Sequence, residues 1–165
     1  MSYLINPSYS PLLVDFLTPY DINASGIFLL RAPSSFETDI SATTGGTQIT
    51  LYSGSSYYIE ASVSAWNDDR NGSATYQLYD ATGSQYIGRE TYYNMNVSYA
   101  AVTRVARKVT SALILDSDIT TSMKIELRRT SETGTDWRYA ITTDVGIGNL
   151  AYVGYPSVRV WQLPS

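Results

Sequence analysis

The chain has 165 residues, 44% of them hydrophobic, with a net charge of −4 and no histidine or cysteine. That size suits a single domain whose folding buries about 70% of the unfolded surface without disulfides. The missing residue types exclude Ser-His-Asp and Cys-His nucleophilic sites and argue against zinc, and an acidic balance with no basic tail argues against nucleic acid.

In chain order, residues 1–25 come first, with Pro7, Pro11 and Pro19 set among Leu, Tyr and Phe. Prolines at this frequency oppose helix and interrupt strand ladders, while the apolar residues between them favour burial. The spacing predicts an extended arm. Its contact residues would be Tyr3, Leu4, Ile5, Leu12, Leu13, Phe16, Leu17 and Tyr20, laid on a partner or folded back over their own domain.

From Gly26 the pattern has period two and defines a second unit, 26–165. Ile59, Ala61 and Val63 alternate with Glu60, Ser62 and Ser64, and Met123, Ile125 and Leu127 alternate with Lys124, Glu126 and Arg128. Such alternation marks strands with one buried face. Turn signals separate them: TTGG at 43–46, DDRNG at 68–72, ATGS at 81–84 and SETG at 131–134. The stretch Tyr76–Glu90, YQLYDATGSQYIGRE, reads as a β-hairpin around DATG. In Ala100–Leu115, Val105 and Val109 also fit helical spacing, but the β-branched content and the shared parity of Val109, Leu113 and Leu115 predict a strand over its second half. Short strands with polar turns predict an all-β antiparallel sandwich or barrel.

Few residues carry chemistry. Asn67, Asp69 and Asn71 followed by Gly72 imitate the first half of a calcium loop, yet the twelfth position is Leu78, not a glutamate. A plain hairpin turn is the expectation there, with no metal and no cofactor. Asp116 and Asp118 could formally form a carboxylate pair for glycoside hydrolysis, but they read as turn residues, and no enzyme is expected. Arg104, Arg107 and Lys108 form one basic cluster, either a solvated face or a patch that pairs with an acidic surface. No apolar run approaches the roughly eighteen residues of a membrane span, and MSYLINPSYS lacks the basic and apolar blocks of a signal peptide. Synthesis in a cytoplasm and no membrane contact are expected. Charged residues make up only 16% of the chain against about 25% in typical domains, and 15 tyrosines supply area suited to sheets and to interfaces.

GSSYYIEASVSAW at Gly54–Trp66, YQLYDATGSQYIG at Tyr76–Gly88, ALILDSDITTSMKIEL at Ala112–Leu127 and the closing SVRVWQLP at Ser157–Pro164 carry a resemblance. In this order they resemble the C1q/TNF-like jelly-roll domain, in the form found in bacteriophage head decoration and fibre proteins. The resemblance implies an antiparallel jelly-roll sandwich, a homotrimer, and location on a virion capsid surface after synthesis in the host cytoplasm. The arm would then attach to the major capsid protein or another virion protein. The alternative it implies is a receptor-binding tip of a tail fibre, with Tyr57, Tyr79, Tyr86 and Tyr92 exposed to host glycans or to an interface. The chain has no repeat of the kind that builds a fibre shaft, which favours decoration.

Overall fold

The computed structural model describes residues 12–22, 25–31, 40–42, 46–67, 71–96, 106–134, 137–138 and 157–163. Among them the chain runs β1 (Leu12–Ile22), β2 (Phe28–Arg31), β3 (Ile40–Ala42), β4 (Gln48–Tyr52), β5 (Ser56–Asn67), β6 (Asn71–Asp80), β7 (Gln85–Asn96), β8 (Ala106–Ile114), a 3-10 turn at Asp116–Asp118, β9 (Ser122–Thr133), β10 (Trp137–Arg138) and β11 (Ser157–Leu163). Among the described residues every strand pairing is antiparallel, and the strands fall into two sheets. One has the order β8-β5-β11-β1-β2, with β10 paired to the end of β5; the other is β3-β4-β9-β6-β7. The all-β antiparallel expectation is met.

Period-two spelling decides which side chains meet between the sheets. Tyr57, Ile59, Ala61 and Val63 of β5 point inward, as do Ala74, Tyr76 and Leu78 of β6, Met123, Ile125 and Leu127 of β9, and Val158 and Val160 of β11. Together with Phe28, Leu30, Ile49 and Leu51 they form one core. Part of the tyrosine content is spent here. Tyr57, Tyr76 and Tyr93 are fully buried, and the rings of Phe28 and Tyr76, then Tyr76 and Tyr93, meet edge-on at 5.6 and 5.2 Å. A buried phenol needs an acceptor for its hydroxyl. Tyr57 donates to the Tyr52 carbonyl at 2.8 Å, and Tyr93 donates to the Val63 carbonyl.

The sheets are joined along two edges. The Thr91 hydroxyl of β7 donates to the Val109 carbonyl, and the Thr110 hydroxyl of β8 donates to the Arg89 carbonyl. Gly88, at φ 69°, lies so close to β8 that a Cβ there would overlap the Ser111 carbonyl oxygen. Near the opposite edge, the Arg129 amide donates to the Gly26 carbonyl at 2.8 Å and the Leu30 amide to the Gly46 carbonyl at 3.0 Å.

Several expectations need correction. Leu12–Ile22 is extended and pairs as a strand between β11 and β2, so this part of 1–25 lies on its own domain, the second of the two placements expected, and not on a partner. The interruption expected of proline appears as the register shift between Pro19 and Asp21 in β1. Residues Tyr3, Leu4 and Ile5 lie outside the described residues. β8 is extended from Ala106, which removes the helical option over Ala106–Ile114. β5 and β6, on either side of DDRNG, belong to different sheets and do not pair, which corrects the hairpin expected there. DATG does close the β6–β7 hairpin, with Tyr79 opposite Tyr86 and Asp80 opposite Gln85.

Candidate functional site

The two sheets present outer faces of opposite chemistry. On the first, alternation in β8 sends Ala112 and Ile114 into the core and leaves Leu113 60% exposed, with Val109 and Leu115 also exposed. Register places Leu113 opposite Tyr58, Tyr58 opposite Trp161, and Trp161 opposite Leu12. The Tyr58 and Trp161 rings stand 5.5 Å apart. An apolar and aromatic row therefore crosses β8, β5 and β11 on the solvent side. Such area is what interface cores are made of.

On the second sheet, β9 sends Ile125 and Leu127 inward and Lys124, Glu126 and Arg128 outward. Glu126 lies opposite Gln48 on one side and Tyr79 on the other, and Tyr79 lies opposite Tyr86. The Gln48 amide donates to Glu126 Oε1 at 2.9 Å, and Arg128 Nε donates to Glu126 Oε2 at 2.7 Å. The Arg128 guanidinium carbon sits 3.4 Å from the centroid of the Tyr79 ring, whose other contact is Tyr86 at 5.0 Å. Glu126 is buried beneath these groups. Burial opposes the Arg128 charge, yet the hydrogen bond and charge of Glu126 hold its pKa above the ordinary arginine value.

The four tyrosines singled out by resemblance separate. Tyr57 is core, which corrects its expected exposure: it shares parity with Ile59, Ala61 and Val63. Tyr79 is half-buried under Arg128, while Tyr86 and Tyr92 are 48% and 55% exposed on β7. Asp116 Oδ1 accepts the Gly54 amide at 2.6 Å and Asp118 Oδ2 accepts the Leu115 amide at 3.0 Å. Both act as turn acceptors, as expected. Asp69 lies outside the described residues, and Asn67 and Asn71 end and begin strands of different sheets. Among the described residues no three acids lie close enough to hold a metal ion. Arg107 and Lys108 lie on β8 opposite Ser64 and Val63, and Arg104 lies outside the described residues.

Leu113, Tyr58 and Trp161, and the group Gln48, Glu126 and Arg128, were not marked out by sequence as sites. Each sits at an outward position of an alternating strand, a signal present in the sequence; their convergence depends on register between strands far apart in the chain. No protein-family model matches the chain, and no curated protein is detectably similar to it.

Proposed function

We propose that this chain is a structural virion subunit, a homotrimeric bacteriophage capsid decoration or head-fibre protein with a C1q/TNF-like jelly-roll sandwich and no catalytic role. The observation that carries the assembly reading is the apolar row Leu113–Tyr58–Trp161 on the outer side of the first sheet, with Leu113 exposed and both rings half-buried, a surface suited to burial against other copies. Strand order supports the jelly roll. With β2, β3 and β10 set aside, the other strands renumbered in chain order run 1-8-3-6 in one sheet and 2-7-4-5 in the other, first beside last and second beside seventh. That nesting is two Greek keys wrapped on one another. Attachment falls to residues 1–11, with Tyr3, Leu4 and Ile5, because Leu12–Ile22 already pair within the sheet.

Light scattering should return three times the 18.2 kDa chain mass. Purified particles should contain the protein in many copies, and a chain lacking residues 1–11 should stay trimeric while failing to add to heads stripped of the protein. A monomer at micromolar concentration, or full head occupancy by the truncated chain, would overturn this reading. A second reading rests on the exposure of Tyr86 and Tyr92: a receptor-binding tip of a tail fibre that stacks them on host glycans. Finding the protein only at a tail tip would select it.

A further inference from the structure

The inward row of β6, Ala74, Tyr76 and Leu78, continues at its last position to a carboxylate, Asp80. A charge in register with the core is unusual, because burying a carboxylate is costly unless it is paired. Asp80 is only 3% exposed. Its Oδ1 accepts the Thr82 amide at 2.8 Å, the bond that turns the chain into DATG. Its Oδ2 accepts no hydrogen bond from the described residues. Gly83 lies directly over that oxygen, and a Cβ there would overlap it.

Asp80 lines a cleft of about 390 Å³ at the end of the sandwich, between the β6–β7 turn and the segment joining β8 to β9. Small-molecule sites span roughly 300 to 1,000 Å³. Ile87, Leu113, Ile114 and Met123 give the cleft an apolar lining, and Asp118 adds a second carboxylate at the rim. No Lys or Arg is among the lining residues. Two anionic groups without a cation, one of them nearly buried beside apolar side chains, define what would bind: a positive hydrogen-bond donor on an apolar stem.

We propose that this cleft binds a primary alkylammonium group, with Asp80 Oδ2 as its principal acceptor and the apolar lining around its methylene stem. A carboxylate–ammonium hydrogen bond in a partly dry site is among the stronger polar contacts. The same chemistry is offered by the lysine side chain of a partner protein and by a free aliphatic diamine. This assignment does not rest on the virion reading, although Leu113 belongs both to the cleft and to the row proposed to meet other copies.

The test uses the full chain and follows the methyl resonances of Ile87, Leu113 and Met123 while butylammonium is added, with n-butanol as the uncharged probe of similar shape. Saturable shifts are expected, with butanol binding about tenfold or more weakly. Asp80→Asn keeps an oxygen for the Thr82 amide but removes the charge, and it should weaken butylammonium binding by about ten- to a hundredfold, as expected for a hydrogen bond to a charged group. Should that variant not fold, Asp118→Asn on the rim should still reduce affinity measurably. A diamine that binds more tightly than a lysine-containing peptide would assign a free amine, and the reverse order would assign a partner's lysine. Absence of saturable shifts, equal binding of butanol, or undiminished binding by a folded Asp80→Asn chain would overturn the proposal.

Discussion

Two patches on the outer faces of the sheets, one around Leu113 and one around Glu126, are built from the same alternating grammar and differ in chemistry. On the second sheet every large outward group around Glu126 already has a partner in its own chain: Gln48 and Arg128 hold the carboxylate, and Tyr79 lies under the guanidinium. On the first sheet, Leu113, Val109 and Leu115 stand out with no polar group to complete. A surface that satisfies itself can remain in water. One that exposes adjacent apolar side chains gains by being covered, and the gain scales with the area removed from water. The contrast teaches that aromatic content alone does not locate an interface; the partners of each ring do.

The largest effect should come from the seam on which both faces depend. Gly88 adopts φ 69° beside the Ser111 carbonyl, so Gly88→Ala forces a side chain into a left-handed backbone and into β8. The backbone cost alone is about 1–2 kcal/mol, and the overlap adds to it. A loss of about 3 kcal/mol in denaturant unfolding is expected, in the range where a named structural defect is required. An unchanged midpoint would mean that the β7–β8 contact does not hold the sheets together.

Much of the fold was legible because strands with one buried face spell it out. DATG, the β9 alternation and the closing β11 were all readable from period and turn residues. Tyr57 was legible too, since two-residue parity ties it to the inward Ile59; the resemblance put it on the surface against that parity. Other features were not readable for a physical reason. DDRNG looks the same whether the chain returns in one sheet or crosses to the other, because turn chemistry is local and sheet membership is not. β1 was obscured because Pro19, with Pro7 and Pro11 just before the strand, lowers strand propensity, and pairing on both sides with register shifts overrides that preference. Glu126 could be placed outward, but Gln48 and Tyr79 became its neighbours only through register across the sheet.

Next in size is the self-satisfied face. Glu126→Ala leaves the Arg128 guanidinium and the Gln48 amide without their acceptor, and removing one partner of a buried polar group typically costs about 1–3 kcal/mol. Glu126→Gln keeps the shape and should lose less. If alanine cost nothing, this face would be no more closed than the other, and the comparison would fail. Tyr86→Ala removes one exposed ring from its pair with Tyr79 and should cost about 1 kcal/mol or less, the scale of a cross-strand pair. Thermal melts of the two variants, run side by side, check the order.

The smallest effect on the folded subunit should accompany the largest effect on assembly. Leu113 is 60% exposed, so Leu113→Asp removes little buried area from its own domain and should change subunit stability by no more than about 0.5 kcal/mol. It places a carboxylate opposite Tyr58 in the middle of the apolar row, where another copy would have to desolvate it. If copies associate as proposed, association favours the folded state by mass action, and the wild-type melting temperature should rise with concentration. The variant should elute as a monomer and melt at one temperature across the same range. A variant that stayed trimeric would show that copies do not meet across the β8–β5–β11 row, and the apolar face would then need a different occupant. A variant that was monomeric but unfolded, seen as a changed far-ultraviolet spectrum, would show that Leu113 supports its own domain in spite of its exposure.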